Sequence, residues 1–381
     1  MSRISLVHCA DLHLDAPFTG LGSSSLSRQR RVDLKECFQK IISFVLEKNA
    51  DYLVISGDLY EHRYVTVSTI HWLNGQFARL GERQVVLVPG NHDPYVSNSW
   101  YKSFSWSSNV HILTTNSPEY FDEAKGVYFY GIGFDTFRQE RLPEIPPPSA
   151  GPDRINICLF HGTLDMAFTQ SPYNPIDLNT LLELGLDYYA LGHFHGTNAA
   201  YTDLGVINCG SPEPLGFDEP GQHGVYWVTL EKQNGNISRD IQFIRLQKRF
   251  YREMLLDITG CSSGFKLQKL LEDGFDWDTL REDILRVKLT GRIPSGAKPD
   301  LHAAEEFLQK ACFHAQLIDL TEPAYDLDML AADNNIAGVF VRNMREKIEK
   351  AGGEEKRLLE KAMQLGLDAL LHGSLELHGQ E

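Results

Sequence analysis

Three kinds of metal-binding side chain recur along this chain in five short groups. They are Asp11 and His13; Asp58; Asn91, His92 and Asp93; His161; and His193 with His195. Carboxylates and imidazoles together suit divalent manganese, iron or zinc. Residues two apart on an extended chain point the same way, so Asp11 with His13, and His193 with His195, can each act as a pair. Each piece alone is ordinary. A single D-x-H is usually a strand end with a solvated Asp, and a G-D after a strand is usually a turn. Gly90-Asn91-His92-Asp93 is more specific, and Gly192-His193-Phe194-His195 more so. All five in this order do not arise by accident.

Something must bring these groups together, and the residues before each supply it. Ile4 to Ala10, Tyr52 to Ser56, Val85 to Pro89, Ile155 to Phe160 and Tyr188 to Leu191 are short apolar runs. Each reads as a buried strand. Strands of one sheet can converge at their carboxyl ends, where α/β folds hold ligands. Gly57, Gly90 and Gly192 precede candidate ligands, where the chain is expected to turn sharply without a Cβ in the way. Helical spacing over 24–49 and 67–80 gives two crossover helices. Short strands are expected at 110–114, 120–121 and 127–131, a proline-rich surface loop over 138–154, and a helix over 176–184. Strands at 205–208 and 224–230 finish the domain.

The order D-x-H, G-D, G-N-H-D, H and G-H-x-H resembles the calcineurin-like metallophosphoesterases. The stretch Asp11-Leu12-His13-Leu14-Asp15-Ala16-Pro17-Phe18, with the extra chain beyond the catalytic part, looks most like the SbcD family of DNA-repair nucleases, in its YhaO-like branch. Common SbcD proteins have Gly where this chain has Asp15. The resemblance implies a four-layer metallophosphoesterase β-sandwich flanked by helices, then a small α/β capping domain and a helical C-terminal tail. It implies two divalent ions, manganese first, with iron or zinc as alternatives. Asp11, His13, Asp58 and His195 would hold one; Asp58, Asn91, His161 and His193 the other, with Asp58 as bridge. A water between the ions would ionise and attack phosphorus. His92 is not a ligand in the family pattern and is placed to give a proton to the leaving oxygen.

Neighbours of these residues have two readings each. Asp93 either orients His92 or a metal-bound imidazole, or is an ordinary loop carboxylate. Glu61 and His62 could touch substrate, or be solvated residues at a helix start. His8 reads as packed. Tyr95, Trp100, Tyr101, Phe104 and Trp106 could stack on unpaired bases, or pack together. Arg245, Lys248, Arg249 and Arg252 form the clearest basic cluster and could meet a DNA backbone, or be a solvated face.

At 381 residues the chain should hold two or three domains. The expected divisions are 1–235, a metallophosphoesterase domain ending at the Gln233–Asn236 turn; 236–322, an α/β cap; and 323–381, helical and a candidate docking element. In the tail, Leu358, Leu359, Met363, Leu367, Leu370 and Leu371 make an apolar stripe. Six scattered cysteines without C-x-x-C read as reduced, buried thiols. With no apolar run near the ~20 residues of a membrane span and an immediate first strand, a cytoplasmic location and no membrane contact are expected. The net charge of −15 opposes unaided binding to nucleic acid.

The expected function is a metal-dependent DNA exonuclease or endonuclease in DNA repair, acting on DNA ends with an SbcC-like ATPase as partner. A homodimer is left open. The alternatives are a small-nucleotide phosphoesterase with the same site and a non-catalytic scaffold, against which the intact ligand set argues.

Overall fold

A computed structural model describes residues 2–144, 147–165, 173–294, 297 and 299–372. The first 251 residues form one compact unit and the rest a second. In the first, β1 (Ser2–Cys9), α1 (Ser24–Glu47), β2 (Tyr52–Ser56), α2 (Val67–Ala78), β3 (Gln84–Val88), α3 (Trp100–Ser103) and β4 (Val110–Ile112) come in turn. They are followed by β5 (Glu119–Asp122), β6 (Val127–Ile132), β7 (Ile155–His161), α4 (Leu178–Leu182), β8 (Tyr188–Gly192) and β9 (Val206–Asn208). The hairpin of β10 (Gly224–Gln233) and β11 (Asn236–Arg245) closes the unit.

These strands make two sheets. The first runs β11-β10-β1-β2-β3-β4, the second β5-β6-β7-β8-β9. Side-chain alternation explains the layering. From β1, β2, β3 and β10, Leu6, Val54, Val86 and Val228 face Phe129, Ile157 and Ala190 of the second sheet, in one buried core. The other parity of the first sheet, Val7, Leu53, Ile55 and Leu87, is equally buried. So are Phe38, Ile41 and Val45 of α1 and Ile70, Leu73 and Phe77 of α2, whose spacing gives each helix a buried stripe. Thr66 caps α2 by accepting from Thr69 N–H. Tyr130, Phe160, Tyr189 and Leu191 pack outward with Leu181 of α4. Helix, sheet, sheet and helix are the four layers expected.

The expected end of the first domain at 235 falls at the tip of the β10–β11 hairpin. All ten residues of β11 pair with β10, so the domain runs on to Tyr251. The helix expected over 176–184 is only five residues long. Of the proline-rich loop, residues 145–146 lie outside the described residues.

The second unit takes up β12 (Tyr251–Asp257) from Arg252 and continues with α5 (Gly264–Gly274), α6 (Trp277–Leu280), β13 (Ile284–Thr290), β14 (Arg292–Pro294), α7 (Leu301–Ala311), β15 (His314–Asp319) and β16 (Glu322–Ala324). Leu267 and Leu271 of α5 and Leu308 of α7 pack on Leu285 and Val287 of β13. Then α8 (Leu327–Ala332), α9 (Ile336–Lys350) and α10 (Gly353–His372) follow. Leu330, Val341 and Leu367 join these three helices. The tail beyond 372 lies outside the described residues. None of the described helices is long and apolar enough to cross a membrane.

Candidate metal centre

The five expected groups meet, and they come from both sheets. Asp11 and His13 follow β1, Asp58 follows β2, and Asn91 and His92 follow β3, all in the first sheet. His161 ends β7, and His193 and His195 follow β8, in the second. Several of these ligand residues hold left-handed backbone themselves: Asp11 (φ 52°), His13 (44°), Asp58 (50°) and His193 (103°). Such conformations cost about 1–3 kcal/mol for a non-glycine residue and cluster at functional sites. The preceding glycines serve differently than expected. Gly57 does turn, at φ +89°. Gly90 is not left-handed, but a Cβ on it would lie 2.1 Å from Asp58 Oδ1, so only glycine lets the two strand ends meet.

The donor atoms form overlapping groups, one of which sets His92 beside His13 and Asp58. His13 Nε2 lies 3.1 Å from His195 Nε2 and 3.6 Å from Asp58 Oδ2. Asp11 joins these imidazoles in one cluster and joins Asp58 and His161 in another. His161 Nε2 lies 3.3 Å from Asp58 Oδ2 and 3.1 Å from Asn91 Oδ1, which is also 3.1 Å from His193 Nδ1. Donors about 2.1 Å from one ion sit about 3.0–3.4 Å apart, so four of these five separations fit and the His13–Asp58 one is slightly long. The hydrogen bonds make a second test. His13 Nδ1–H donates to Glu61 Oε1 at 2.9 Å, and His195 Nδ1–H to Glu219 Oε1 at 2.6 Å. When both rings are neutral each keeps a lone pair on Nε2, and the two point at one another. A proton on His195, held up at about 9, or a metal ion between the rings makes that arrangement favourable. His161 Nδ1–H donates to the Ser56 carbonyl at 2.7 Å, freeing its Nε2 as well.

Charge in the cluster shifts its titrations. Burial opposes ionisation of Asp58, but His161 and His13 outweigh it and hold the carboxyl well below the usual range. Burial raises Asp11. For His161 and His195, burial works downward, yet Asp58 for the first and Glu219 for the second push each up to about 9. His193 is held down at about 3 by burial and by His161. His92, with a side chain 44% exposed, has Nδ1 3.0 Å from Glu61 Oε1. Burial works against its charge, but Glu61 and Asp58 raise it to about 9. Glu61 is correspondingly held near 2: desolvation is outweighed by hydrogen bonds from His13 and His92.

Asp93 is not what the sequence suggests. Its carboxylate is buried, and among the described residues no hydrogen bond joins it to an imidazole. Instead it accepts the N–H groups of Gly90 (2.7 Å), Asp58 (3.2 Å), Leu59 (2.7 Å) and Tyr60 (3.3 Å), and the hydroxyl of Tyr101 (2.6 Å). It ties the Asp58 loop to the Asn91 loop. The orienting role expected of it belongs to Glu61, which bridges His13 and His92 through one oxygen. Glu61 is neither solvated nor placed by its own motif; its spacing of three after Asp58 was the available signal. Glu219 carried none.

Other candidates settle into packing. His8 is buried between Tyr188 Oη and Ser56 Oγ. The His62 N–H donates to the His92 carbonyl, and its ring packs on Phe137. Asp15 occupies left-handed backbone (φ 66°), which a glycine would also take, and accepts the Thr66 N–H. Trp106 packs on Phe104 and Tyr101 of the aromatic stretch and on Phe77 of α2, while the Tyr95 ring faces Lys102. Three of the four residues of the basic cluster are neutralised: Lys248 pairs with Asp33 and Glu36, Arg249 with Asp33, and Arg252 with Asp283, while Arg245 lies over the Phe250 ring. Burial pushes the Cys9 and Cys158 thiols far up, and all six cysteines are free and buried.

The calcineurin-like phosphoesterase family model matches residues 4–197. The chain is 28% identical over 294 residues to the uncharacterized metallophosphoesterase YhaO of Bacillus subtilis (strain 168), covering 72% of this chain and 68% of that protein. It also matches the crystal structure of TT1561 of Thermus thermophilus at 12% identity and a TM-score of 0.35, over 62% of this chain and 98% of that one.

Proposed function

We propose, from the premise that the chain belongs to the calcineurin-like phosphoesterase family, that it is a two-metal phosphodiesterase acting on DNA, a nuclease of the SbcD type. Family membership carries metal-dependent phosphoester hydrolysis; DNA as substrate is the further step. The observation that carries two ions is Asp58, whose Oδ2 faces His13 of one donor group and His161 of the other. Asp11, His13, Asp58 and His195 would hold one ion, and Asp58, Asn91, His161 and His193 the second. Bound there, divalent ions supply Lewis-acid polarisation of the phosphate and an ionised water at neutral pH.

The chain itself manages the proton. Glu61 and Asp58 favour the charged form of His92 and raise it to about 9 before any ion is bound. Its Nδ1–H is engaged by Glu61, so Nε2–H is the proton available to a leaving oxygen. Glu61 fixes that ring and His13 from one oxygen. The His92 N–H donates to Asp58 Oδ1 at 2.8 Å, which keeps the acid in register with the bridging carboxylate.

Support for DNA over smaller substrates comes from the second unit beyond Tyr251 and from the likeness to SbcD-type layouts. With most of the basic cluster neutralised and a net charge of −15, the basic DNA-binding surface would come from a partner, an SbcC-like ATPase. Exposed Ile336 and Val339 on α9, with Leu358, Leu370 and Leu371 on α10, would meet it. The same neutralised cluster favours the second reading, hydrolysis of small nucleotides. A manganese-supplemented assay on labelled DNA and a nucleotide panel separates them, with His92→Ala in parallel. DNA cleavage that falls about two to four orders of magnitude in His92→Ala, with metal content kept, supports the proposal. Turnover of nucleotides alone overturns the DNA reading. Deleting the chain from Asp333 should abolish co-purification with the ATPase while a small phosphodiester is still cleaved.

A further inference from the structure

We propose that Glu219 is a positioning residue that sets the affinity of the first ion by fixing which nitrogen of His195 carries the proton. The inference rests on the reading of His195 as a ligand. Glu219 lies beyond the part of the chain that matches the family model and belongs to none of the five motifs.

Its carboxylate is buried and held at both oxygens. Oε1 accepts from His195 Nδ1 at 2.6 Å. Oε2 accepts the Ser211 hydroxyl at 2.7 Å and the Leu215 N–H at 3.0 Å. The loop that carries it is fastened on both sides. Ser211 N–H donates to the His195 carbonyl at 2.9 Å. On the far side the buried Arg30 guanidinium donates to Glu213 Oε1 at 2.7 Å and to the Pro214 carbonyl at 2.8 Å. The carboxylate therefore cannot swing away, and as a pure acceptor it requires hydrogen on His195 Nδ1. That leaves a lone pair on Nε2, the atom 3.1 Å from His13 Nε2.

Replacement by the isosteric amide inverts this. The Leu215 N–H needs an oxygen opposite it, which turns the amide nitrogen of Glu219→Gln toward His195 Nδ1. The ring then accepts at Nδ1 and carries its hydrogen on Nε2, where the ion must bind. Full-length wild-type and E219Q proteins, stripped of metal, are titrated with Mn²⁺ by calorimetry. In addition, ¹⁵N NMR of labelled histidine at alkaline pH, without metal, reads the neutral tautomer of His195. We expect two ions on wild type, and on E219Q one ion of unchanged affinity and a second weakened roughly ten- to hundredfold. We also expect the His195 tautomer to be exchanged. Unchanged affinity for both ions, or an unchanged tautomer, overturns the inference. Wild type binding fewer than two ions overturns the two-ion reading instead, and the metal-free NMR still decides the role of Glu219. If E219Q does not fold by circular dichroism, Ser211→Ala replaces it. Loss of one of the two Oε2 contacts should weaken one ion by a smaller factor, and unchanged binding there overturns the inference.

Discussion

Replacing Asp93 by Asn tests whether its carboxylate ties the ligand loops together or orients the acid. Oδ1 takes the N–H groups of Gly90 and Asp58, and Oδ2 those of Leu59 and Tyr60 with the Tyr101 hydroxyl. An asparagine must place its NH₂ on one side or the other. Either choice turns a donor toward two backbone donors. Tyr101 can rotate its hydroxyl to accept, but the peptides cannot. Each orphaned buried N–H costs about 1–3 kcal/mol, so the pair costs roughly 2–6 kcal/mol. Relief of burying one charge reduces this, and about 3 kcal/mol is expected, a large share of a typical domain stability of about 5–15 kcal/mol. The loops of Asp58 and Asn91 should also loosen, and metal with them. Denaturant unfolding of the chelated proteins gives the first quantity, and metal analysis after dialysis the second. A wild-type midpoint with two ions retained would refute the tie. If stability and metal stay while the rate falls as in His92→Ala, Asp93 orients His92 after all.

Glu61→Gln should lower the His92 pKa from about 9 toward its ordinary value, since burial then acts with less opposition. As the acid must be protonated, the alkaline limb of the rate profile should move to lower pH; an unmoved limb would dismiss His92 as donor. Metal loading near pH 7.5 should release roughly two protons, because His161 and His195 are held up at about 9 without metal and bind it neutral. Calorimetry in buffers of different ionisation enthalpy counts them, and zero release would contradict the ligand assignment. A chelator should abolish activity and manganese restore it, given mixed Asp, His and Asn donors. Full turnover with magnesium alone, trace metals excluded, would rule that out.

The ligands were legible because each lies within a residue or two of a strand end, so local pattern fixes both strand and donor. What supports them was not. Glu219 reaches His195 across 24 residues of chain, and nothing in its neighbours marks it. Asp93 stands beside His92 in sequence, which suggests contact, yet its carboxylate is spent on backbone N–H groups. Which strand joins which of the two sheets was hidden because a fully buried strand looks the same in either. Half-exposed β11 alternates Ile237, Ile241 and Phe243 with polar residues, but the turn before it reads equally as a domain end or a hairpin.

Because the donors are divided between two facing sheets, the centre is a gauge of their separation. Such sheets lie roughly 10 Å apart, and here the spacer is the layer holding Val54, Phe129 and Ile157. Changing the thickness of that layer would alter the distance between Asp58 on one side and His161 on the other without touching a ligand. Substitutions there would act as remote adjustments of ion spacing. Equally disruptive ones beneath α1 or α4 would cost stability and leave the spacing alone. Interior side chains far from phosphate would then influence which metal is preferred and how strongly binding of the first ion aids the second.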